Sequence, residues 1–166
     1  MKKYIILLLC VTISLGFAAC SDDIEPGGTK TEALAGDWYV MLTDEAGNDL
    51  GGGFTLVTTY NTAADVATEM FFDDGKFWPI KGKISCDVNS LTFSTKDFVD
   101  NYYDYKGTFY KFKIHEGKVL LNQGHAKSGR VSDSIYVKFE AMDDPGNTYI
   151  YTGHRRTGFI EDEYAH

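Results

Sequence analysis

From Ala35 onward, apolar and polar side chains alternate with a period of two. That period places successive side chains on opposite faces of an extended strand. Trp38, Val40 and Leu42 alternate with Asp37, Tyr39 and Met41, and Phe54 and Leu56 begin a second run. Met70 and Phe72 alternate with Glu69 and Phe71. Trp78, Ile80, Ile84 and Cys86 form a run with Lys81 and Lys83 between them. Leu91 and Phe93 follow, then Tyr110, Phe112 and Ile114, then Val119 and Leu121. Ile135, Val137, Phe139 and Ala141 form the next run, and Thr148 to Thr157 the last. No segment holds a helical period for long, although Thr62–Val66 has room for one helical turn.

Turn chemistry punctuates these runs. Asp44-Glu45-Ala46-Gly47-Asn48, Asp73-Asp74-Gly75, Glu116-Gly117 and Asp143-Asp144-Pro145-Gly146-Asn147 carry the residues that favour hairpins. Eight to ten strands joined by short loops, most with one apolar and one polar face, predict an all-β antiparallel meander. Closing it into a barrel of about eight strands removes the exposed edges, and a two-sheet sandwich is the structural alternative. A barrel of that size is wide enough for one small ligand.

Composition agrees. The 166 residues are 43% apolar and include 11 Tyr and 11 Phe, enough for one sizeable core. The net charge of −8 argues against a nucleic-acid partner, whose phosphates need clustered Lys and Arg.

The first 20 residues, MKKYIILLLCVTISLGFAAC, read differently. Lys2 and Lys3 precede an apolar stretch from Ile5 to Phe17, and small residues precede Cys20. This is the layout of a secretory signal, too short and wrongly flanked for a membrane span. Phe17-Ala18-Ala19-Cys20 resembles a bacterial lipobox, in which the Cys becomes the first mature residue and is acylated. A lipobox usually has Leu where Phe17 stands. The expected organisation is therefore a signal peptide over 1–19, a lipidated Cys20 with a flexible tether over 20–34, and the β domain over 35–166. Ser21-Asp22-Asp23-Ile24-Glu25 resembles the surface-export signal of Bacteroidetes lipoproteins, which implies an outer-membrane, cell-surface location. Two or more acyl chains, at roughly 0.8 kcal/mol per buried CH₂, hold a protein stably on a membrane. Cys10 leaves with the signal and Cys20 is acylated, so Cys86 alone remains and no disulfide forms within the domain.

Gly36-Asp37-Trp38-Tyr39 on the first strand, with Arg155 and Arg156 on the last, resembles the lipocalin and wider calycin pattern. There the Trp plugs the narrow end of the barrel, and a basic side chain from the last strand lies over it. Cation–π attraction gives that arrangement a physical basis. Trp38 is the expected plug, with Arg156 turned inward and Arg155 outward. The lipobox, Gly36-Asp37-Trp38-Tyr39-Val40 and the closing Tyr151-Thr152-Gly153-His154-Arg155-Arg156-Thr157-Gly158-Phe159 together resemble a Bacteroidetes lipoprotein family named lipid-binding putative hydrolases. That likeness implies a lipocalin-like barrel, and no catalytic motif carries over with it.

Candidate chemistry is sparse. Ala126-Lys127-Ser128-Gly129 lacks the Gly-x-Ser-x-Gly elbow of a nucleophilic serine. His115 beside Glu116 reads as a surface residue, and His125 as a loop residue with some claim to a pocket mouth. His154 lies on the last strand and His166 ends the chain. No metal-ligand spacing occurs, and Asp73-Asp74 and Asp143-Asp144 read first as turn residues. Gly51-Gly52-Gly53 is no phosphate loop, because no Gly-Lys-Ser/Thr follows, and reads as a flexible hairpin or a barrel-rim loop. Tyr102, Tyr103, Tyr105, Phe109 and Tyr110 crowd rings into nine residues. Cross-strand packing accounts for most such rings, and the rest suit a ligand cavity or rim.

The expected function is binding of a lipid or other small hydrophobic molecule in the barrel, with no cofactor and no metal. The inward set named for that cavity is Val40, Leu42, Phe72, Trp78, Ile80, Phe93, Tyr110, Phe112, Val137 and Phe139. Tyr110, with its hydroxyl, would orient a head group. A structural, interaction or glycan-binding lipoprotein is the second expectation, and a hydrolase the third.

Overall fold

The computed structural model describes residues 28–164, apart from Lys76, Pro79, Tyr105, Lys106 and Phe109. The signal peptide, Cys20 and most of the tether lie outside the described residues, as do Phe109 and His166. A 3₁₀ turn, Glu32–Leu34, leads into eight strands: β1 Gly36–Asp44, β2 Asp49–Asn61, β3 Glu69–Asp73, β4 Lys81–Asp87, β5 Thr92–Ser94, β6 Phe112–His125, β7 Val131–Ala141 and β8 Tyr149–Arg155. A second 3₁₀ turn, Ile160–Asp162, follows. The strands pair in chain order, each antiparallel to the next, and β8 closes on β1, giving a closed barrel. This is the architecture that the alternating pattern predicts.

The inner faces merge into one core. Trp38, Val40, Val57, Phe72, Ile114 and Val137 are fully buried in it, as is Tyr151. Leu34 joins the same cluster and Thr31 is also fully buried. The body therefore starts before residue 35, because the 3₁₀ turn puts Leu34 into the barrel end; Thr31–Leu34 is not tether.

Three expected boundaries change. Glu116-Gly117 is no hairpin: β6 runs through it, and the turn to β7 comes at 126–130. Gly117 faces the core, where an added Cβ would lie 2.2 Å from Phe93 Cδ2, so its missing side chain is the space that ring fills. Gly51-Gly52-Gly53 lies within β2, where the pairing with β1 shifts register between Met41 and Thr43. Trp78 and Ile80 precede β4 rather than lying on it, and Tyr110 precedes β6.

The narrow end is closed around Trp38. Its indole N–H donates to Thr59 Oγ1 at 2.9 Å, and the Thr59 hydroxyl donates to the Leu34 carbonyl at 2.6 Å. Arg155, not Arg156, covers the ring, with its guanidinium carbon 4.5 Å from the ring centroid. Arg155 also donates to the Ala35 carbonyl (2.6 Å) and to Asp133 (3.1 Å). Gly36 makes room for it, since a Cβ there would meet Arg155 Nη1 at 2.7 Å. Arg156 points outward to Glu163 at 2.8 Å and Asp37 at 3.6 Å. The reason is the facing of β8: Tyr151 is fully buried, so Arg155, four residues on, shares its inward face.

On the outside, the C-terminal segment folds back over β1, β2 and β8. Tyr164 lies 4.3 Å from Phe54 and 4.8 Å from Tyr39, ring centre to ring centre. Its hydroxyl is 3.2 Å from His154 Nε2. The Tyr39 hydroxyl donates to Glu163 at 2.5 Å, and burial together with that carboxylate raises the Tyr39 pKa.

Candidate functional site at the barrel mouth

The wide end is bounded by the 44–49, 74–80, 95–111 and 142–148 connections. Of these, the connection between β3 and β4 sends Asp74 and Ile80 inward. Asp74 is wholly buried, and its carboxylate accepts the Ile80 N–H and the Trp78 N–H, each at 2.9 Å. The Tyr151 hydroxyl donates to the same carboxylate from the barrel wall at 3.4 Å. Burial, reinforced by this charge, pushes the Tyr151 pKa well above its ordinary value. A buried carboxylate is tolerated only when donors satisfy it, and here a backbone turn and a phenol do so.

Trp78 lies over this arrangement. Its ring centre is 4.4 Å from that of Tyr149 and meets Phe139 edge-on at 6.0 Å. Its indole N–H donates to Asp143 at 3.1 Å. Tyr149 donates to Asp144, which raises the phenol pKa to about 12. Below, Phe139 stacks on Tyr151 at 4.8 Å. The mouth is thus a ladder of rings from the rim to the core, with acceptors at intervals.

Asp73, the neighbour of Asp74, faces the other way. It accepts from Tyr103 (2.7 Å) and Tyr60 (3.3 Å) and pairs with Lys81 (3.0 Å). Burial would raise its pKa, but Tyr103, the Gly75 N–H and Lys81 outweigh it and hold the carboxyl below its usual value. Burial and Asp73 raise Tyr103 to about 12. Asn101, also buried, accepts from the Lys81 and Tyr103 N–H groups and ties the 95–111 excursion to β4.

A pocket of about 10 Å³, room for one water, lies at the mouth between Trp78, Ile80, Tyr110, Phe112 and Ala141, with Asn101, Lys111 and Asp143 around it. The expected lining set divides around it. Val40, Leu42, Phe72, Ile80, Phe93, Phe112, Val137 and Phe139 are buried against one another in the core, and Trp78 is half-buried against it. Tyr110 stands at the pocket's edge. In this state these side chains pack together instead of lining an open chamber: Trp78 covers the mouth, and Tyr151 and Asp74 occupy space beneath it.

Sequence reasoning missed Asp74 and Tyr151. Asp74 stands in a turn-like Asp-Asp-Gly, and Tyr151 is its partner from 77 residues away. Only closure of the barrel reveals the pair. His115 meets Glu140 at 3.3 Å, and His125 is exposed at the far end of β6. The Ser128 N–H donates to Asp162 at 2.8 Å, and its hydroxyl accepts from the Arg130 N–H at 3.4 Å. The Cys86 thiol donates weakly to the Ala67 carbonyl at 3.5 Å, and burial raises its pKa. Among the described residues no cluster of three metal-ligating side chains occurs.

A family model described as lipid-binding putative hydrolase matches residues 23–160. The chain belongs to this family. No curated protein matches the chain. The family's description carries a lipid or hydrophobic ligand, and the match spans the whole barrel and both walls of the mouth.

Proposed function

We propose that the protein is a lipid-anchored, surface-exposed outer-membrane protein that binds a lipid or other small hydrophobic molecule at the mouth of its barrel. The observation carrying this reading is the mouth itself. The segment 74–80 inserts Asp74 and covers the core with Trp78, which is only half-buried. Displacing Trp78 would uncover Phe139, Phe112 and Ile80, whose burial against a ligand is worth about 25 cal/mol per Å². Tyr110, at the pocket's edge, would then meet the ligand's polar end. Support for the anchor comes from Phe17-Ala18-Ala19-Cys20 and the acidic residues behind it.

The chain holds two Trp, so Trp38→Phe leaves Trp78 as sole reporter. Titrating that variant with a fluorescent fatty acid should quench Trp78 saturably at micromolar probe, and Tyr110→Ala should weaken the binding. The tightly buried core favours a second reading, in which the barrel is filled by its own side chains and serves as an interaction module. Absence of any saturable signal would leave that second reading in place.

A further inference from the structure

β5 has three residues and pairs with β4 only at Ser85–Asp87. Beyond that point the excursion 95–103 runs between β4 and β6, held to β4 by the Tyr102 N–H on the Lys81 carbonyl (2.7 Å) and to β6 by the Val99–Phe112 bridge. Two shallow grooves run along this seam and share Lys83 and Val99. One, of about 290 Å³, is bounded by Glu69, Thr95, Lys96 and Asp97; the other, of about 250 Å³, by Asp100, Tyr102 and Lys111. Joined, they reach the size of ordinary small-molecule sites, roughly 300–1,000 Å³.

The lining is chemically mixed. Lys83, Lys96 and Lys111 face Glu69, Asp97 and Asp100, so opposite charges balance along the groove. Two pairs are fixed: Lys83–Glu69 at 3.0 Å and Lys111–Asp100 at 2.9 Å. Balanced charge gives no preference for a phosphate or a cation, and an acyl chain laid in grooves this shallow would stay largely in water. Interleaved ammonium donors and carboxylate acceptors suit hydroxyl groups, each of which both donates and accepts. Beside them lies an aromatic platform. Tyr60 stacks on Phe71 at 5.4 Å, and Phe71 meets Tyr102 edge-on at 5.7 Å. Tyr102 remains 56% exposed, so packing the excursion onto the sheet does not consume its ring. An exposed ring beside interleaved donors and acceptors is the complement of a sugar, with its apolar C–H face and hydroxyl edge.

We infer that this seam groove is a binding site for a neutral oligosaccharide, separate from the barrel mouth. Tyr102 stacks on a sugar ring, and Lys83, Asp100 and Lys111 bond its hydroxyls. The test titrates the mature protein with neutral hexasaccharides of glucose, mannose and xylose and with a sulfated heparin hexasaccharide. At least one neutral sugar should bind saturably, and Tyr102→Ala should weaken it about tenfold or more. Lys83→Met should weaken it less, and neither change should alter fatty-acid probe binding at Trp78. Circular dichroism checks that both variants fold. The inference fails if no neutral sugar binds, if only the sulfated one does, or if a neutral sugar binds folded Tyr102→Ala as tightly as the parent.

Discussion

Asp74→Ala tests how the mouth is held. The substitution removes the acceptor of two backbone N–H groups at 2.9 Å and leaves the Tyr151 hydroxyl without that carboxylate. Hydrogen bonds to a charged group are worth about 1.5–3 kcal/mol each, but the freed N–H groups regain water if the segment swings out. A net loss of about 2–4 kcal/mol follows. With a urea slope of about 2 kcal/mol per M, the midpoint should fall by roughly 1–2 M. Asp74→Asn keeps one acceptor oxygen and should lose about half as much. Tyr151→Phe removes only a 3.4 Å bond and should cost about 1 kcal/mol or less. Urea melts followed by Trp fluorescence give all three values. The reasoning is refuted if Asp74→Ala shifts the midpoint by less than about 0.3 M, or if Tyr151→Phe costs as much as Asp74→Ala.

Other consequences follow from the same structure. Trp38→Ala should cost about 3–5 kcal/mol in denaturant melts, as truncation of a core aromatic, whereas Arg156→Ala, on the surface, should leave the melt nearly unchanged. Tyr151 has a raised folded-state pKa, so its contribution is intact below about pH 10 and is lost as pH rises further; phenolate absorbance should show Tyr103 and Tyr149 titrating near 12 and Tyr151 only on unfolding. Asp162 is held at about 2, first by Thr157 and Ser128, so its contribution is present above about pH 4 and lost toward pH 2; in Asp162→Asn, the protection of the 126–130 amides relative to their intrinsic exchange rates should no longer change across that window. Cys20→Ala should abolish metabolic fatty-acid labelling, and neutralising Asp22 and Asp23 should hide the protein from external protease.

Alternation made the barrel legible because each strand buries one face, as in Trp38-Val40-Leu42 and Ile135-Val137-Phe139. What alternation leaves open is which face wins when both carry rings or aliphatics. On β8 the choice lay between Tyr149-Tyr151-Arg155 and Ile150-Arg156. An inward Tyr needs a partner for its hydroxyl, and the partner is Asp74, on the far side of the sequence. Without it, Ile150 looks like the better inward residue, and Arg156 like the plug's partner. The same long-range pairing hid the mouth. Asp73 and Asp74 are adjacent and identical, yet one faces Lys81 and the other the core. Trp78 and Ile80 continue the period of β4, so the segment that covers the barrel looked like its wall.

The most direct test of lipid binding is the native mass of the mature protein purified from its host in mild detergent. The account predicts the acylated chain carrying one small hydrophobic molecule, released on solvent extraction and depleted in folded Tyr110→Ala. A spectrum showing only the acylated chain, or a bound molecule retained equally by folded Tyr110→Ala, would contradict a binding site at the barrel mouth.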